Sequence, residues 1–228
     1  MTRRYFLTVP TGLEFLSRAE LAERIAPPWT EPRRGKVMLE TDASPDTLFE
    51  LRSCFHVFAD VTRRQDMPTD QAGLDWLKAV CDRIDWSPAL ATWATCTGQD
   101  APRSFRVTVQ RDGAHAFSSQ EAAAALGAGI EQRFGWRVDL KHHDLEIYAQ
   151  IRETELLVGL TLTPSSLHHR DRLDRGRTGL KPPIAHALAR LARLQPGQRV
   201  VDPMCGSGTI PIEASALEPG AHHLAGEL

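Results

Sequence analysis

A glycine-containing loop near the end of the chain carries the residues best suited to bind a ligand. Residues 200–210 read VVDPMCGSGTI, so an apolar strand leads into Asp202 and two glycines precede a helix. In doubly wound sheets, ligands bind beyond the carboxyl ends of the strands, at loops of this kind. Glycine lets the backbone approach a ligand where a Cβ atom would collide with it. The sequence therefore predicts a site for a nucleotide-like ligand at residues 202–209.

Two common nucleotide-binding loops do not fit this string. A P-loop requires a lysine directly after its last glycine, and Thr209 stands there instead. A dinucleotide fingerprint requires a small residue at position 211, which is Pro211 in this chain. The loop is therefore predicted to bind neither the phosphates of ATP nor NAD or FAD.

The string DPMCGSGT resembles motif I of class I S-adenosylmethionine-dependent methyltransferases, in the form found in THUMP-containing RNA methyltransferases. The resemblance implies S-adenosyl-L-methionine as cofactor. Backbone N–H groups at a helix start can hold the carboxylate of such a ligand. We expect Asp202 to face its cationic amino or sulfonium end, and Cys205 to be a small apolar filler, not a nucleophile. The implied cofactor-binding residues in the loop are Asp202, Pro203, Met204, Cys205, Gly206, Ser207, Gly208 and Thr209.

Two segments that flank the loop extend the predicted cofactor site. The strand predicted over residues 222–228 brings Glu227 to the position at which such folds bind ribose hydroxyls with an acidic side chain. The resemblance assigns the ribose-binding acid to the same position. It also implies that residues near Thr178 and Leu180 help to close the cofactor site.

The middle of the chain resembles a THUMP domain, an RNA-binding module of tRNA-modifying enzymes. The resemblance covers residues 100–165 and implies a ferredoxin-like module before it, over residues 1–90. It also implies that the two modules together bind the acceptor stem and 3′ end of tRNA. The residues that carry it are Phe105, Arg106, Val107, Arg111, His115, Phe117, Ser119 and Glu121.

Basic and histidine side chains in this region suit an RNA 3′ end, which offers phosphates, 2′-hydroxyls and unstacked bases. Residues 167–181 form a local basic patch with five Lys or Arg against two Asp. Each arginine is also compatible with an ordinary solvated surface, and His115 with a hydrogen-bonded turn. The predicted RNA-binding residues are Arg106, Arg111, His115, Lys141, Arg170, Arg172, Arg175 and Arg177.

Composition excludes several classes of protein. The chain is 42% apolar and 25% charged with a net charge of −2, which is typical of a globular protein. No apolar run reaches the length of about 18 residues that a membrane span requires, and we expect no membrane partner. The four cysteines have no paired spacing, which predicts reduced thiols, no metal site and a cytoplasmic protein. The adjacent histidine pairs do not indicate a metal site, because neighbouring side chains on a strand point to opposite faces.

The elements alternate as in an α+β protein followed by the start of an α/β domain. Strands are predicted over 4–9, 35–41, 55–62, 105–109, 144–151 and 155–163, and helices over 13–26, 45–52, 74–84, 118–134 and 182–193. Residues 85–102 are interpreted as a connector. Residues 166–194 are interpreted as a linker and helix, and 195–228 as a partial Rossmann-like methyltransferase domain.

Two local features refine the helix predicted over 118–134. Ser118 and Glu121 have the spacing of a capping box at its start. Gly127 and Gly129 each cost about 1 kcal/mol relative to alanine inside a helix. We therefore expect a neighbouring element to approach the helix backbone closely at these two positions.

The family's motif for the methyl acceptor, Asn/Asp-Pro-Pro followed by an aromatic residue, is absent from the sequence. The catalytic residues are therefore expected beyond Leu228. A segment over 195–228 offers too few strands to bury both faces of a parallel sheet. The chain is accordingly expected to be an N-terminal fragment or a truncated product, inactive by itself.

The resemblance as a whole implies a tRNA guanine-N2 methyltransferase, and it leaves an activator subunit open. Transfer of a methyl group to adenine N6 is the nearest chemical alternative, since the same Pro-Pro motif serves both. Guanine-N2 methylation of 23S rRNA is a second alternative. A non-catalytic RNA-binding module is a third, and an acceptor motif in the gene after codon 228 would exclude it.

Overall fold

The computed structural model describes residues 2–25, 29–169 and 179–226. The chain divides into two compact units, of which unit 1 comprises Met1–Phe6 and Phe58–Leu162, and unit 2 comprises Leu7–Val57 and Thr163–Leu228. Among the described residues, no helix has both the length and the apolar character needed to cross a lipid bilayer.

Helices and strands alternate along most of the chain. The helices are α1 Glu14–Arg24, α2 Pro45–Phe49, α3 Ala72–Val80, α4 Ser87–Thr97, α5 Ser119–Phe134, α6 Pro182–Leu191 and α7 Thr209–Leu217. The strands are β1 Arg3–Thr8, β2 Trp29–Arg33, β3 Lys36–Thr41, β4 His56–Arg64, β5 Ser104–Asp112, β6 Arg137–Val138, β7 Leu145–Arg152, β8 Glu155–Thr161, β9 Arg199–Asp202 and β10 His222–Ala225.

The first six elements follow the order β-α-β-β-α-β, which is the order of a ferredoxin-like module. The ferredoxin-like expectation is thus confirmed, although β2 was missed. In β2, Pro32 and the charged side chains of Glu31 and Arg33 hide the strand pattern. β2 pairs antiparallel with β3, and Pro32 is tolerated because β2 lies at the edge of the sheet, where a missing N–H donor costs little.

Unit 1 contains a mixed sheet with the strand order β1-β4-β8-β7-β5-β6. The strands β7 and β8 form the predicted antiparallel hairpin, whose turn holds Glu153 at a φ of 51°. β5 and β7 are parallel, as their connection through α5 requires. The helix α5 packs on β5, and the core between them includes the buried side chains of Phe105, Leu126 and Ile130.

The local predictions for α5 are largely confirmed. The hydroxyl of Ser118 accepts a hydrogen bond from the Glu121 amide, and the Glu121 carboxylate accepts one from the Ser118 amide, which is the expected capping box. A Cβ atom at Gly129 would clash with the carbonyl oxygen of Lys78 at α3, so the close approach is confirmed there. At Gly127 the prediction is wrong, since a Cβ atom would make an ordinary contact of 3.8 Å with Val107.

The interpretation of residues 85–102 as a connector is also wrong, because this segment contains α4. Pro88 occupies the first turn of α4, where its missing N–H costs nothing. Ala89 and Trp93 lie on its buried side, and Trp86 just before it is also buried. The apolar pattern was weak because alanine and threonine fill most other positions, so burial, not a clear stripe of large side chains, stabilises α4.

Unit 2 ends in the predicted start of a parallel sheet. β9 and β10 are parallel and in register from Arg199↔His222 to Asp202↔Ala225, with α7 as the connection between them. The helix α6 packs against α7. This arrangement confirms the expected strand–helix–strand unit, and it places the end of β10 beside Asp202.

Candidate functional site: a loop at the carboxyl end of β9

The predicted cofactor loop lies between the end of β9 at Asp202 and the start of α7 at Thr209. Its first turn is held by Asp202, whose Oδ1 accepts a hydrogen bond from the Met204 amide at 3.3 Å. Backbone hydrogen bonds attach the loop to the end of β10: the Cys205 amide donates to the Gly226 carbonyl at 2.9 Å, and the Gly226 amide to the Asp202 carbonyl at 3.0 Å. The loop shape is therefore set by its own backbone and by β10.

Both glycines of the loop adopt left-handed backbone conformations. Gly206 has a φ of 53°, and a Cβ atom there would meet no atom of the described residues within 4 Å. Gly208 has a φ of 73° and is the N-cap of α7. The described residues thus leave space beside the Gly206 Cα atom, which is the condition for close approach of a ligand to the backbone.

The start of α7 supplies donors for an anion. The first residues of a helix have no intrahelical acceptor for their N–H groups, and the helix dipole makes this end positive. Pro211 lacks an N–H group, so Thr209 and Ile210 provide the donors of this first turn. The first backbone hydrogen bond within α7 runs from the Ile212 amide to the Gly208 carbonyl at 3.1 Å.

The remaining loop side chains line the loop without forming a catalytic arrangement. The Cys205 thiol donates to the neighbouring Gly206 carbonyl at 3.7 Å, and Ser207 Oγ lies 3.4 Å from Thr209 Oγ1. The Met204 side chain is 77% exposed. Leu180 is partly exposed, and Pro203 continues the turn that Asp202 starts. Glu227 and Thr178 lie outside the described residues.

The predicted RNA-binding residues of β5 lie at two separate places in unit 1. By strand alternation Arg106 and Arg111 point to opposite faces of the sheet. Arg106 donates to Glu146 Oε1 at 2.7 Å and to the Leu140 carbonyl at 3.5 Å, so it lies beside the loop that carries Lys141. The structure therefore groups Arg106 with Lys141 and separates both from Arg111.

Internal partners constrain the residues at the other place. Arg111 Nη1 lies 3.2 Å from His115 Nδ1, and His115 Nε2 lies 2.7 Å from the Glu153 carbonyl oxygen. Both ring nitrogens of His115 thus have partners within the fold, which favours its interpretation as a turn histidine. The four arginines Arg170, Arg172, Arg175 and Arg177 lie outside the described residues.

The electrostatics near Lys141 are set by two carboxylates. The His142 and Lys141 amides donate to Asp139 and hold the pKa of its carboxyl below the ordinary value. Burial alone would raise the pKa of Glu146, but hydrogen bonds from Thr108 and Arg106 outweigh it and keep this pKa below the ordinary value. In the described part of the chain, the ammonium group of Lys141 forms no ion pair, so its charge faces solvent.

Comparison with known proteins agrees with both resemblances. Residues 71–161 match the THUMP domain family, and residues 169–226 match the family described as RMKL-like, methyltransferase domain. The chain combines a THUMP domain with an RMKL-like methyltransferase domain. The THUMP match begins at residue 71 and so includes α3 and α4, whereas the boundaries predicted at 90, 100 and 165 stay predictions.

Two named relatives match half or more of this chain. A bovine protein named tRNA (guanine(6)-N(2))-methyltransferase THUMP3 is 41% identical over 124 residues, which are 54% of this chain and 24% of that protein. Ribosomal RNA large subunit methyltransferase K/L from Chromohalobacter salexigens is 31% identical over 93% of this chain and 29% of that protein. The chain thus spans about a quarter of the length of these relatives.

A solved structure resembles the whole chain. The crystal structure of TrmN from Thermus thermophilus superposes with a TM-score of 0.77 at 30% identity, and the match covers 100% of this chain and 66% of that chain. The methyltransferase-like fold predicted from motif I is therefore confirmed.

An apolar groove of about 510 Å³ in the THUMP domain was not predicted from the sequence. One wall is the small-residue face of α5, with Ala124 and Gly127, and another is formed by Val138 and Leu140. These two side chains are 44% and 67% exposed. The available signal was Val138 in β6 and Leu140 in the polar segment after it, and Leu140 lies in the loop that also carries Lys141.

Proposed function

We propose that this protein is an S-adenosylmethionine-dependent RNA methyltransferase whose substrate is tRNA and whose acceptor atom is guanine N2. The observation that carries the proposal is the open glycine loop at the end of β9, in the same chain as a THUMP domain. The names of the relatives support the tRNA and guanine assignments.

The cofactor side of the proposal rests on how the loop residues fit S-adenosylmethionine. The open space beside Gly206 and the donors at Thr209 and Ile210 suit the methionine portion and its carboxylate. Asp202 places a carboxylate at the strand end, where it would attract the cationic portion of the cofactor. Glu227 is proposed to bind the ribose hydroxyls. When bound, the cofactor supplies the methyl group on its sulfonium, and the chain's contribution is to hold and orient it.

The RNA side of the proposal uses the THUMP domain. Lys141 is exposed and directly follows Leu140, which lines the groove together with α5 and Val138. Unstacked bases of single-stranded RNA bind to apolar surfaces, and a nearby cation contacts the phosphates. We therefore propose that the single-stranded 3′ end of tRNA binds near Lys141 and Arg106, and that Arg111 and the arginines of residues 170–177 contact the backbone elsewhere.

A second candidate function is guanine-N2 methylation of ribosomal RNA. It is favoured by the match to the Chromohalobacter enzyme, which extends over 93% of this chain. The two candidates share the cofactor loop and differ in the RNA that the THUMP domain would bind.

Binding titrations test the cofactor and RNA parts separately. We expect S-adenosylhomocysteine to bind in isothermal titration calorimetry, and absence of any heat at millimolar ligand would contradict the cofactor assignment. We expect tRNA with its single-stranded 3′ end to bind more tightly than tRNA trimmed to a blunt stem. Equal affinities at matched salt would contradict the RNA assignment, and tighter binding of a 23S rRNA fragment would favour the second candidate.

Lys141→Ala tests whether Lys141 contacts a phosphate of the tRNA. Removal of one phosphate contact should weaken tRNA binding and lower the slope of log affinity against log salt by about 1. Lys78→Ala is the matched control, because Lys78 is an exposed lysine on α3 of the same domain. Equal effects of the two variants would show that Lys141 acts only through net charge.

A further inference from the structure

Three buried ionisable side chains from distant parts of the sequence meet inside unit 2. They are Glu20 of α1, His186 of α6 and Glu213 of α7, whose side chains are 3%, 2% and 1% exposed. The imidazole of His186 lies between the two carboxylates. Its Nε2 is 3.8 Å from Glu20 Oε1, and its Nδ1 is 3.7 Å from Glu213 Oε2.

The segment after α2 completes this buried cluster. Arg52 Nε donates to Glu213 Oε2 at 2.9 Å. The amides of Arg52 and Ser53 donate to the two carboxylate oxygens of Glu20, each at 2.9 Å. Arg24 Nε lies 3.5 Å from Glu20 Oε1. Each carboxylate is thus compensated by an arginine and held by the ferredoxin-like segment.

Such a cluster is a costly way to pack helices together. Burying a carboxylate requires several kcal/mol of compensation, and apolar side chains of similar size would pack at least as stably. The cluster instead fixes geometry. An ion pair with hydrogen bonds fixes the relative position of its partners more closely than interchangeable apolar contacts do. The element fixed here is α7.

The position of Glu213 connects the cluster to the cofactor loop. Glu213 lies four residues after Thr209, about one helical turn from the start of α7. Displacement of this turn would move Gly208 and the N–H donors of Thr209 and Ile210 with it. The partner of Glu213, Arg52, is 161 residues away in the sequence.

We propose that Arg52, His186 and Glu213 are positioning residues for the cofactor loop. They attach α7, about one turn after its start, to α6 and to the segment after α2, and so hold the loop in its ligand-binding shape without contacting the ligand. The identity of the ligand in this inference rests on the proposed function. The attachment of α7 by these residues does not depend on it.

The test combines hydrogen exchange with ligand binding on the full chain. We expect Glu213→Gln and Arg52→Met each to accelerate amide exchange in residues 204–213 at least tenfold, with exchange in β7 and β8 unchanged. The double variant should exchange no faster than either single variant, because both remove the same ion pair. His186→Gln should act in the same direction.

Two further variants separate positioning from general destabilisation. Arg190→Met removes an ion pair to Glu23 that also joins α6 to α1, but it does not involve α7, so exchange at the loop should not change. Arg52→Lys keeps the charge and should recover part of the protection. If Glu213→Gln or Arg52→Met unfolds, the inference can still be tested by comparing amide exchange at residues 204–213 between Arg52→Lys and Arg190→Met.

S-adenosylhomocysteine binding separates this inference from the proposed function. We expect a loss of affinity of at least tenfold in Arg52→Met and none in Arg190→Met. If the unaltered chain binds no S-adenosylhomocysteine while α7 exchange responds as expected, the proposed cofactor is wrong and the positioning stands. Unchanged exchange at residues 204–213 in both Glu213→Gln and Arg52→Met would overturn the inference, as would equal acceleration throughout the chain.

Discussion

The carboxylate of Asp202 accepts a hydrogen bond from the amide of Met204 at 3.3 Å, so the residue proposed to face the cofactor also shapes the loop that binds it. These two roles depend on different properties of the side chain. An amide oxygen can still accept the Met204 hydrogen bond, whereas only the carboxylate carries a charge. Substitutions at Asp202 can therefore separate loop shape from ligand attraction.

Asp202→Asn should lower the affinity for S-adenosylhomocysteine about ten- to a hundredfold with little change in stability, since an interaction with a charged group contributes about 1.5–3 kcal/mol. Asp202→Ala should lower the affinity further, because it also removes the turn. Calorimetric titration of both variants checks this. Equal affinities of Asp202→Asn and the unaltered chain would mean that the charge does not face the ligand.

Gly208→Ala should destabilise the fold by about 1–2 kcal/mol, because a residue with a Cβ atom is strained in the left-handed conformation that Gly208 adopts. Gly197 has a similar φ of 79° and lies outside the cofactor loop, so Gly197→Ala is the matched control. Chemical denaturation should show similar losses for both. Only Gly208→Ala should also weaken S-adenosylhomocysteine binding, and equal binding by both variants would contradict the assigned loop.

Alanine at the two glycines of α5 should have opposite effects on stability. At Gly129 the new Cβ atom would clash with the Lys78 carbonyl and with Cys81, and such overpacking costs about 1–3 kcal/mol. At Gly127 the Cβ atom fits, so the higher helix propensity of alanine should stabilise the domain by up to about 1 kcal/mol. Urea denaturation measures both changes. Stabilisation by Gly129→Ala would contradict the close packing of α3 and α5.

Acid sensitivity should depend on Asp144, whose carboxylate connects the starts of β5 and β7. The Arg103 and Ser104 amides donate to its Oδ2 at 2.9 and 3.0 Å, and these hydrogen bonds hold the pKa of Asp144 below its ordinary value. A depressed pKa in the folded state contributes stability above the unfolded-state pKa of about 3.9, and this contribution is lost as the pH falls through the folded-state value.

Asp144→Asn should therefore be less stable than the unaltered chain at pH 7, and the difference should shrink below about pH 4. Urea denaturation at a series of pH values measures this difference. A difference that stays constant with pH would show that the charge of Asp144 plays no part.

The features that could be predicted from the sequence are those that depend on residues close together in the chain. The capping box of Ser118 and Glu121 and the turn from Asp202 to Thr209 were both predicted, because each depends on contacts within a few residues. The strand β2 and the helix α4 were missed for the same physical reason. Their own patterns are weak, and pairing or burial by distant parts of the chain stabilises them.

The residues of the candidate site also differ in whether the local sequence identifies them. Loop residues were identified by type and spacing, whereas the cluster of Glu20, His186 and Glu213 joins three helices far apart in the sequence. An acidic residue in an amphipathic helix gives no local sign of burial. The opposite directions of Arg106 and Arg111, by contrast, follow from strand alternation and were available from the sequence.

Nucleoside analysis directly tests whether the protein methylates guanine N2 of tRNA. The whole protein should be incubated with tRNA and S-adenosylmethionine, and the RNA should then be digested and analysed by mass spectrometry. We predict N2-methylguanosine that forms only when the cofactor is present and the tRNA keeps its 3′ end. Methylation of adenine N6, or no methylated nucleoside at all, would contradict this prediction.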